Sequence, residues 1–151
     1  MAGNLATIQE TLEKLIKLAD VPAEVTGEEL ADGAMAFALS TENPALLIGY
    51  HGKTIAALQT LLNVIAYKKL GTTGKILVDV DGWRERREEA LVSLAQNAAR
   101  RARETNIPQP IYNLSPYERR VVHMALAEEV GVESESEGEG RDRHINVKVK
   151  S

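Results

Sequence analysis

The first half of the chain alternates between helix-like and strand-like hydrophobic patterns. Apolar residues recur every three or four positions across residues 5–19, which predicts an amphipathic helix. Large and small side chains alternate across residues 34–40, which predicts a strand. The full set of elements predicted here is a helix over 5–19, strands over 23–30 and 34–40, a short helix from Pro44, a longer helix after Gly52 and a strand over 75–81. The predicted order is therefore α-β-β-α-α-β.

The second half combines a long helical period, a proline-rich break and a further group of strand patterns. Two prolines exclude a helix across residues 107–111 and predict a break or an edge strand. Ser115-Pro116-Tyr117-Glu118 has the pattern of a helix N-terminus, with a serine cap, proline at the first position and glutamate at the third. The elements predicted here are a helix over 84–104, a helix from Ser115 to about Glu129, and a hairpin of residues 132–137 and 141–150 around Gly138-Glu139-Gly140.

Arginine is confined to the second half of the chain. All of the arginines lie between Arg84 and Arg143, whereas the basic residues before them are lysines. Arginine presents a planar fork of donors that suits phosphate and stacks on bases, so the two halves differ in chemistry. Together with the element patterns, this predicts an α+β protein of two small domains. Residues 1–82 form the α-β-β-α-α-β domain, and residues 83–151 form a domain of a leading helix, a second helix and a small antiparallel sheet.

Composition excludes several classes of function. The chain of 151 residues has no cysteine, which excludes disulfides, thiolate catalysis and cysteine-ligated metals. Its three histidines lie far apart, and no acid–base pair or nucleophile constellation is evident, so we expect no metal, no cofactor and no enzyme activity. The formal net charge of −4 argues against coating of nucleic acid through bulk positive charge. There is no signal-peptide pattern and no apolar segment of membrane-spanning length, so a cytoplasmic location is expected.

A glycine-containing segment from Ile48 to Ile55 follows the pattern Ile-Gly-x-x-Gly-x-x-Ile between the two predicted apolar helices. Two glycines allow the backbone to approach a sugar–phosphate chain closely, because no Cβ atom stands in the way. The following helix directs free amide groups and the positive end of its dipole at the segment. Lys53 adds a positive charge. These features favour contact with phosphate over a helix–helix turn that binds nothing.

This segment and the order of elements together resemble the KH domain in its bacterial, type II arrangement. In that family the GxxG loop clamps the backbone of about four nucleotides of a single strand. The resemblance implies RNA contacts at Gly49, Tyr50, His51, Gly52 and Lys53. It also implies an aliphatic groove for the bases, with Ile48, Ile55 and Leu58 as candidates.

A competing interpretation treats Gly52-Lys53-Thr54 as the end of a nucleotide-binding GxxxxGK[ST] loop, with Asp79 on a magnesium-binding strand. That pattern requires glycine at position 47, where this chain has Leu47. Without the glycine, the backbone amides cannot form the nest that holds the β-phosphate. Nucleotide hydrolysis is therefore disfavoured.

Arg119 and His123 lie one turn apart in the helix that follows the serine cap. At 100° per residue they are about 40° apart on one face, and both are expected to point outward. Val122 and Leu126 are on the opposite side and are expected to pack on the sheet. The spacing, within NLSPYERRVVHMAL and followed by GEGRDRHINV, resembles the Arg-x-x-x-His single-strand-binding domain. The resemblance implies backbone contacts at Arg119 and His123, on a basic surface extended by Arg120, Arg141 and Arg143.

Acidic residues complicate this second site. Glu133, Glu135, Glu137 and Glu139 alternate along a predicted strand and the turn that follows it. If that strand lies beside the helix, its carboxylates would repel phosphate and narrow the binding surface to one side. The alternative is that they only keep the protein soluble.

A KH-like module followed by an Arg-x-x-x-His module is similar to the Jag (SpoIIIJ-associated) family of bacterial cytoplasmic RNA-binding proteins. Longer members carry an additional N-terminal Jag domain, whereas this sequence starts directly at the KH helix. The resemblance implies non-catalytic binding of single-stranded RNA and a post-transcriptional regulatory role. Single-stranded DNA stays open as a ligand, because no residue is identified as a reader of the 2′-hydroxyl. The alternative is a protein-interaction adaptor, in which the KH surface or the helix over 5–19 forms a homodimer or binds a second KH protein.

Overall fold

Two three-stranded sheets organise the chain, and each has its own hydrophobic core. The structure, a computed structural model, describes residues 2–71 and 74–151. The chain divides into a first unit of Met1–Arg84 and a second unit of Glu85–Ser151. The α+β class expected from the sequence is confirmed.

The first unit has the predicted order of elements. They are α1 (Ala2–Leu18), β1 (Glu24–Glu29), β2 (Met35–Ser40), α2 (Pro44–Ile48), a 3₁₀ turn (Tyr50–Gly52), α3 (Lys53–Leu70) and β3 (Ile76–Val80). The central strand β2 pairs with β1 in antiparallel and with β3 in parallel orientation. Helix α1 packs against β1 and α3 packs against β3, so that Phe37, Leu39 and Val78 are buried beneath them.

The second unit contains a helical pair and an antiparallel sheet. Its elements are α4, which begins at the end of the first unit (Trp83–Thr105), then β4 (Gln109–Ile111), α5 (Pro116–Ala127), β5 (Val132–Glu137), a 3₁₀ turn (Gly140–Asp142) and β6 (His144–Val149). The strand order is β4-β6-β5, which makes the proline-containing β4 an edge strand as expected. Small alanines of α4 pack with Val122, Leu126 and Ile145 in the core.

The start of α5 is the capping box that the sequence predicts. The Ser115 hydroxyl accepts a hydrogen bond from the Glu118 amide at 3.1 Å, and the Ser115 amide donates to Glu118 Oε2 at 3.1 Å. Glu118 is only 7% exposed, and its Oε1 accepts from Arg87 Nε at 2.8 Å. This ion pair joins α4 to the first turn of the helix that carries Arg119 and His123.

Two leucines in the apolar patterns of α3 and α4 are exposed. Leu61 of α3 is 44% exposed and Leu94 of α4 is 41% exposed. Each lies at the margin of its helix's apolar stripe, whose centre is occupied by Leu62 and by Ala95, both fully buried. Helical periodicity identifies such a stripe but does not fix its width.

In the described part of the chain, no helix is both long enough and apolar enough to cross a membrane. Across residues 2–71 and 74–151, no group of three or more histidine or carboxylate side chains is placed to hold a metal ion.

Candidate nucleic-acid interface

The GYHG loop, Gly49–Gly52, joins α2 to α3 through residues with positive φ. Gly49 has φ 73°, His51 has φ 51° and Gly52 has φ 76°. Glycine adopts this region without cost, whereas His51 does so at a cost of about 1 kcal/mol. The backbone of the loop is therefore held in one unusual conformation.

Both glycines of the loop are also required by close contacts within the unit. A Cβ atom on Gly49 would overlap the Thr54 side chain, and one on Gly52 would overlap the indole of Trp83. Approach of a ligand backbone is the reason inferred from the sequence for these glycines. Internal packing is a sufficient reason at both positions, so the glycines do not by themselves indicate a ligand.

The side chains between and after the glycines face solvent. Tyr50 is 68% exposed, and His51 and Lys53 are exposed beside it. The Tyr50 and His51 rings meet edge to face with 4.1 Å between their centroids, and Lys53 Nζ lies 5.5 Å from the Tyr50 ring. The N-cap of α3, Gly52, supplies no side-chain hydrogen bond to the first-turn amides. The Lys53 amide donates to the Tyr50 carbonyl, so the start of α3 combines exposed aromatic rings, a lysine and the positive end of a helix dipole, which suits an anionic ligand.

Of the three groove candidates, one is wrong. Ile55 is 1% exposed and belongs to the core of the first unit, because the first turn of α3 packs against the sheet. Ile48 and Leu58 are half-buried at the surface of that core. Leu47, where a nucleotide-binding loop would need glycine, is another core residue and is 2% exposed.

The main-chain amide and carbonyl of Val78 on β3 are both hydrogen-bonded to side chains. Gln59 Oε1 accepts from the Val78 amide at 3.1 Å, and Arg84 Nε donates to the Val78 carbonyl at 2.8 Å. Arg84 also donates to Gln59 Oε1. Any base recognition at this strand edge would therefore use side chains rather than the Val78 backbone.

The second predicted site lies on α5, and its two defining side chains do not simply point outward. Arg119 is half-buried and donates from Nη1 to the Leu114 carbonyl at 2.8 Å. The His123 ring lies between two hydroxyls of β5, with Nδ1 2.7 Å from Ser134 Oγ and Nε2 2.8 Å from Ser136 Oγ. The expectation of a freely displayed histidine is wrong, because β5 packs beside the outer part of this helix face.

Arg119, His123 and Arg143 form a basic cluster. Burial lowers the pKa of His123, and the charges of Arg119 and then Arg143 lower that pKa further. Arg143 reaches this position from the turn before β6, where its Nη1 donates to the Gly138 carbonyl at 3.0 Å. Arg120 and Arg141 are exposed. The structure thus unites three of the five residues predicted for this site.

The acidic strand lies beside α5, but its carboxylates face away from the basic cluster. Successive side chains of a strand point to opposite faces, so Glu133, Glu135 and Glu137 project from the face opposite to Ser134 and Ser136. Glu135 pairs there with Lys148 at 3.0 Å, which raises the pKa of that lysine. The carboxylates therefore do not seal the site.

Three residues of these sites were not predicted from the sequence. Ser134 and Ser136 hold the His123 ring, and Trp83 covers Gly52. Ser134 and Ser136 follow Val132, the inward-facing apolar residue of β5, by two and four positions. Because side chains alternate along a strand, this spacing predicts that the serines lie on the same face as Val132. Nothing in the sequence pattern indicates the partner of Trp83.

Comparison with known proteins identifies both halves of the chain. Residues 6–79 match the KhpA/KhpB KH domain, and residues 89–148 match the R-three-H domain, the Arg-x-x-x-His module. The chain is 30% identical over 142 residues to the RNA-binding protein KhpB of Clostridium symbiosum, covering 93% of this chain and 64% of the relative. It is 29% identical over 105 residues to the RNA-binding protein KhpB of Bacillus subtilis, covering 70% of this chain and 50% of that protein.

A further match has the same protein name but a shorter overlap. The RNA-binding protein KhpB of Lactiplantibacillus plantarum is 37% identical over 87 residues, covering 58% of this chain and 27% of the relative. The chain spans less than two thirds of the length of these curated relatives. With a KhpA/KhpB-type KH domain followed by an R-three-H domain, the chain belongs to the Jag-like family of proteins that combine these two domains.

Proposed function

We propose that this protein binds single-stranded RNA through two sites without catalysing a reaction. Residues 1–82 act as one module through the GYHG loop, and residues 83–151 act as the other through the basic cluster. The relatives named as RNA-binding proteins support this proposal. A post-transcriptional regulatory role in the bacterial cytoplasm is the physiological setting that we propose.

The observation that carries the proposal is the separation of charge on β5. Although the chain has a net charge of −4, the carboxylates of β5 project away from Arg119, His123 and Arg143. A local positive potential at this cluster attracts phosphate even when the whole molecule is acidic. The same low global charge limits nonspecific coating of duplex.

At the GYHG loop, a phosphate would be attracted by the positive end of the α3 dipole. Lys53 would add a charge, and the exposed ring of Tyr50 offers a surface on which a base can stack. Each site alone holds a short segment weakly. Joining them in one chain raises the effective concentration for the second contact, so the combined affinity exceeds either one.

The first test is binding of a labelled single-stranded oligoribonucleotide to the full chain by fluorescence anisotropy, over a range of salt concentrations. We expect Lys53→Glu to weaken binding and Arg119→Gln to lower the salt slope by about 0.7 per lost phosphate contact. Matched controls are Lys68→Glu, at the other end of α3, and Arg101→Gln, an exposed arginine of α4.

Stability does not confound the test at Lys53. A glutamate at the first position of α3 is favoured by the helix dipole, whereas the same change at Lys68 is disfavoured. Wild-type affinity in both site variants would reject the assignment of the two sites. Equal binding of RNA and DNA strands would leave the sites in place and remove the preference for RNA.

A protein-interaction adaptor is the second candidate, and one observation favours it. Leu61, Val64 and Tyr67 are each more than 40% exposed and follow one another at three-residue spacing along α3. An exposed apolar strip of this kind suits a homodimer or a second KH protein as partner. Sedimentation of the wild type and of Val64→Glu distinguishes the cases, because a dimer through this strip would dissociate in the variant.

A further inference from the structure

The His123 ring makes two short hydrogen bonds to side chains that can each act as donor or acceptor. Nδ1 lies 2.7 Å from Ser134 Oγ, and Nε2 lies 2.8 Å from Ser136 Oγ. A neutral imidazole donates through one nitrogen and accepts through the other, so one serine hydroxyl must donate its hydrogen to the unprotonated ring nitrogen. An imidazolium donates through both nitrogens, and both serines then only accept from it. The ring is therefore fully hydrogen-bonded in either charge state.

The change of charge alters what the serines can offer to a ligand. When both serines accept from the imidazolium, both hydroxyl hydrogens are released. Each can then donate to another acceptor, such as a phosphate oxygen. Protonation of one ring thus adds a positive charge and frees one more hydroxyl donor in the same place.

The surroundings of His123 decide which state the free protein adopts. Burial lowers the pKa of His123, and the charges of Arg119 on α5 and Arg143 from the turn before β6 lower it further. From β5 only serines face it, because the glutamates of that strand are on the opposite face. The neutral ring is therefore favoured near neutral pH. A bound phosphodiester, with its single negative charge, would offset part of the guanidinium charge and so favour the imidazolium.

We propose that Ser134 and Ser136 are phosphate ligands positioned by His123, and that a nucleic-acid phosphate binding beside Arg119 and Arg143 does so with uptake of one proton by His123. The proton comes from solvent and resides on the imidazole, and no covalent bond to phosphate forms. This inference rests on the proposed function and extends it, since it names two further ligands and couples binding to pH.

The test measures binding of an oligouridylate to the full chain between about pH 8 and about pH 5.5, a range in which histidine is the side chain that ordinarily titrates. Uracil has no group that titrates there. We expect affinity to rise as pH falls, with a limiting slope of about tenfold per pH unit for uptake of one proton. Calorimetry in two buffers with different ionisation enthalpies should report proton uptake directly.

Variants distinguish His123 from a histidine outside the basic cluster. His123→Gln keeps two hydrogen-bonding groups but cannot take up a proton, so the pH dependence should disappear. Ser134→Ala with Ser136→Ala should also remove it, while Ser134→Thr with Ser136→Thr should restore it. His144→Gln is the matched control, since that histidine lies beside Glu137 on the opposite face of the sheet from Ser134 and Ser136, and it should keep the pH dependence.

A readout independent of affinity is the titration of the His123 ring protons by NMR, with and without oligouridylate. We expect the midpoint to move to higher pH when RNA is bound. Binding with unchanged pH dependence in His123→Gln, or equal midpoints in free and bound protein, would overturn the inference and leave the proposed function standing. Absence of binding at every pH would instead reject the proposed function, and the inference with it.

Discussion

The indole ring of Trp83 lies over Gly52, in the space that a Cβ atom at that position would occupy. Trp83 is the first residue of α4, and Gly52 is the N-cap of α3. The last residue of the GYHG loop is therefore fixed by a side chain that follows it by some thirty positions. This contact makes the loop conformation depend on the packing of the first unit, and it makes Trp83 a reporter of the loop.

Gly52→Ala should destabilise the protein more than Gly71→Ala does. Both glycines lie at ends of α3 and have left-handed backbone conformations, with φ 76° at Gly52 and 65° at Gly71. Only at Gly52 would an added Cβ atom meet another residue. We expect about 1 kcal/mol from backbone strain at either position and a further 1–3 kcal/mol from overpacking at Gly52. Chemical denaturation of the two variants measures the difference. Equal losses of stability in the two variants would show that the Trp83 side chain moves to admit the added Cβ atom without cost.

Binding of RNA at the GYHG loop should change the fluorescence of Trp83. The protein has one tryptophan, so its emission reports from a single place against Gly52. The change should persist in Arg119→Gln, whose substitution lies on α5, and should be lost in Lys53→Glu at the loop. Saturable binding with unchanged emission in the wild type would place the bound strand away from this loop.

Glu118→Gln should destabilise the fold substantially. The carboxylate is almost fully buried, accepts from Arg87 and completes the capping box of α5. Loss of its charge weakens the ion pair and part of the cap, for an expected cost of about 2–4 kcal/mol by denaturation. Glu129→Gln is the control, because its ion pair with Arg103 lies at the surface and should contribute less than about 1 kcal/mol.

Stability of the free protein should decline as pH is lowered through the range of histidine titration. The pKa of His123 is lower in the folded protein than its usual value, so the unfolded chain binds the proton more readily. The free energy of unfolding should therefore decrease below about pH 6.5. His123→Gln should remove that part of the decline, and saturating RNA should reduce it in the wild type. A decline of the same size in the variant would assign it to other groups.

Local patterns predicted most of the fold because each depends on neighbours in the sequence. The cap at Ser115, the edge strand after Pro108 and the alternation of β6 are consequences of backbone chemistry within a few residues. The helical periodicity of about 100° per residue, which places Arg119 and His123 on one face of α5, is also a local property and was reliable for the same reason. It contained no information about which strand covers that face.

Contacts between segments distant in the sequence account for the features that the sequence did not predict. Ile55 is a core residue because α3 packs against the sheet. The hydrogen-bond partners of His123 lie on β5, a strand that begins nine residues later. Both outcomes depend on how elements pack, which a single-element pattern does not specify. The sequence left open whether the glutamates around Ser134 and Ser136 repel a ligand, since charge along the chain does not show how the strand faces the helix.

The alternation in β5 has a consequence for tolerance to insertion and deletion. Hydroxyls and carboxylates there differ only in whether their position is odd or even, so a shift by a single residue would turn the glutamates towards His123 and the serines away. The Val132 side chain, buried at the start of the strand, anchors the register that prevents this. Loss or gain of one residue between Val132 and Ser134 would thus place carboxylates instead of hydroxyls beside His123, with hardly any change in amino-acid content.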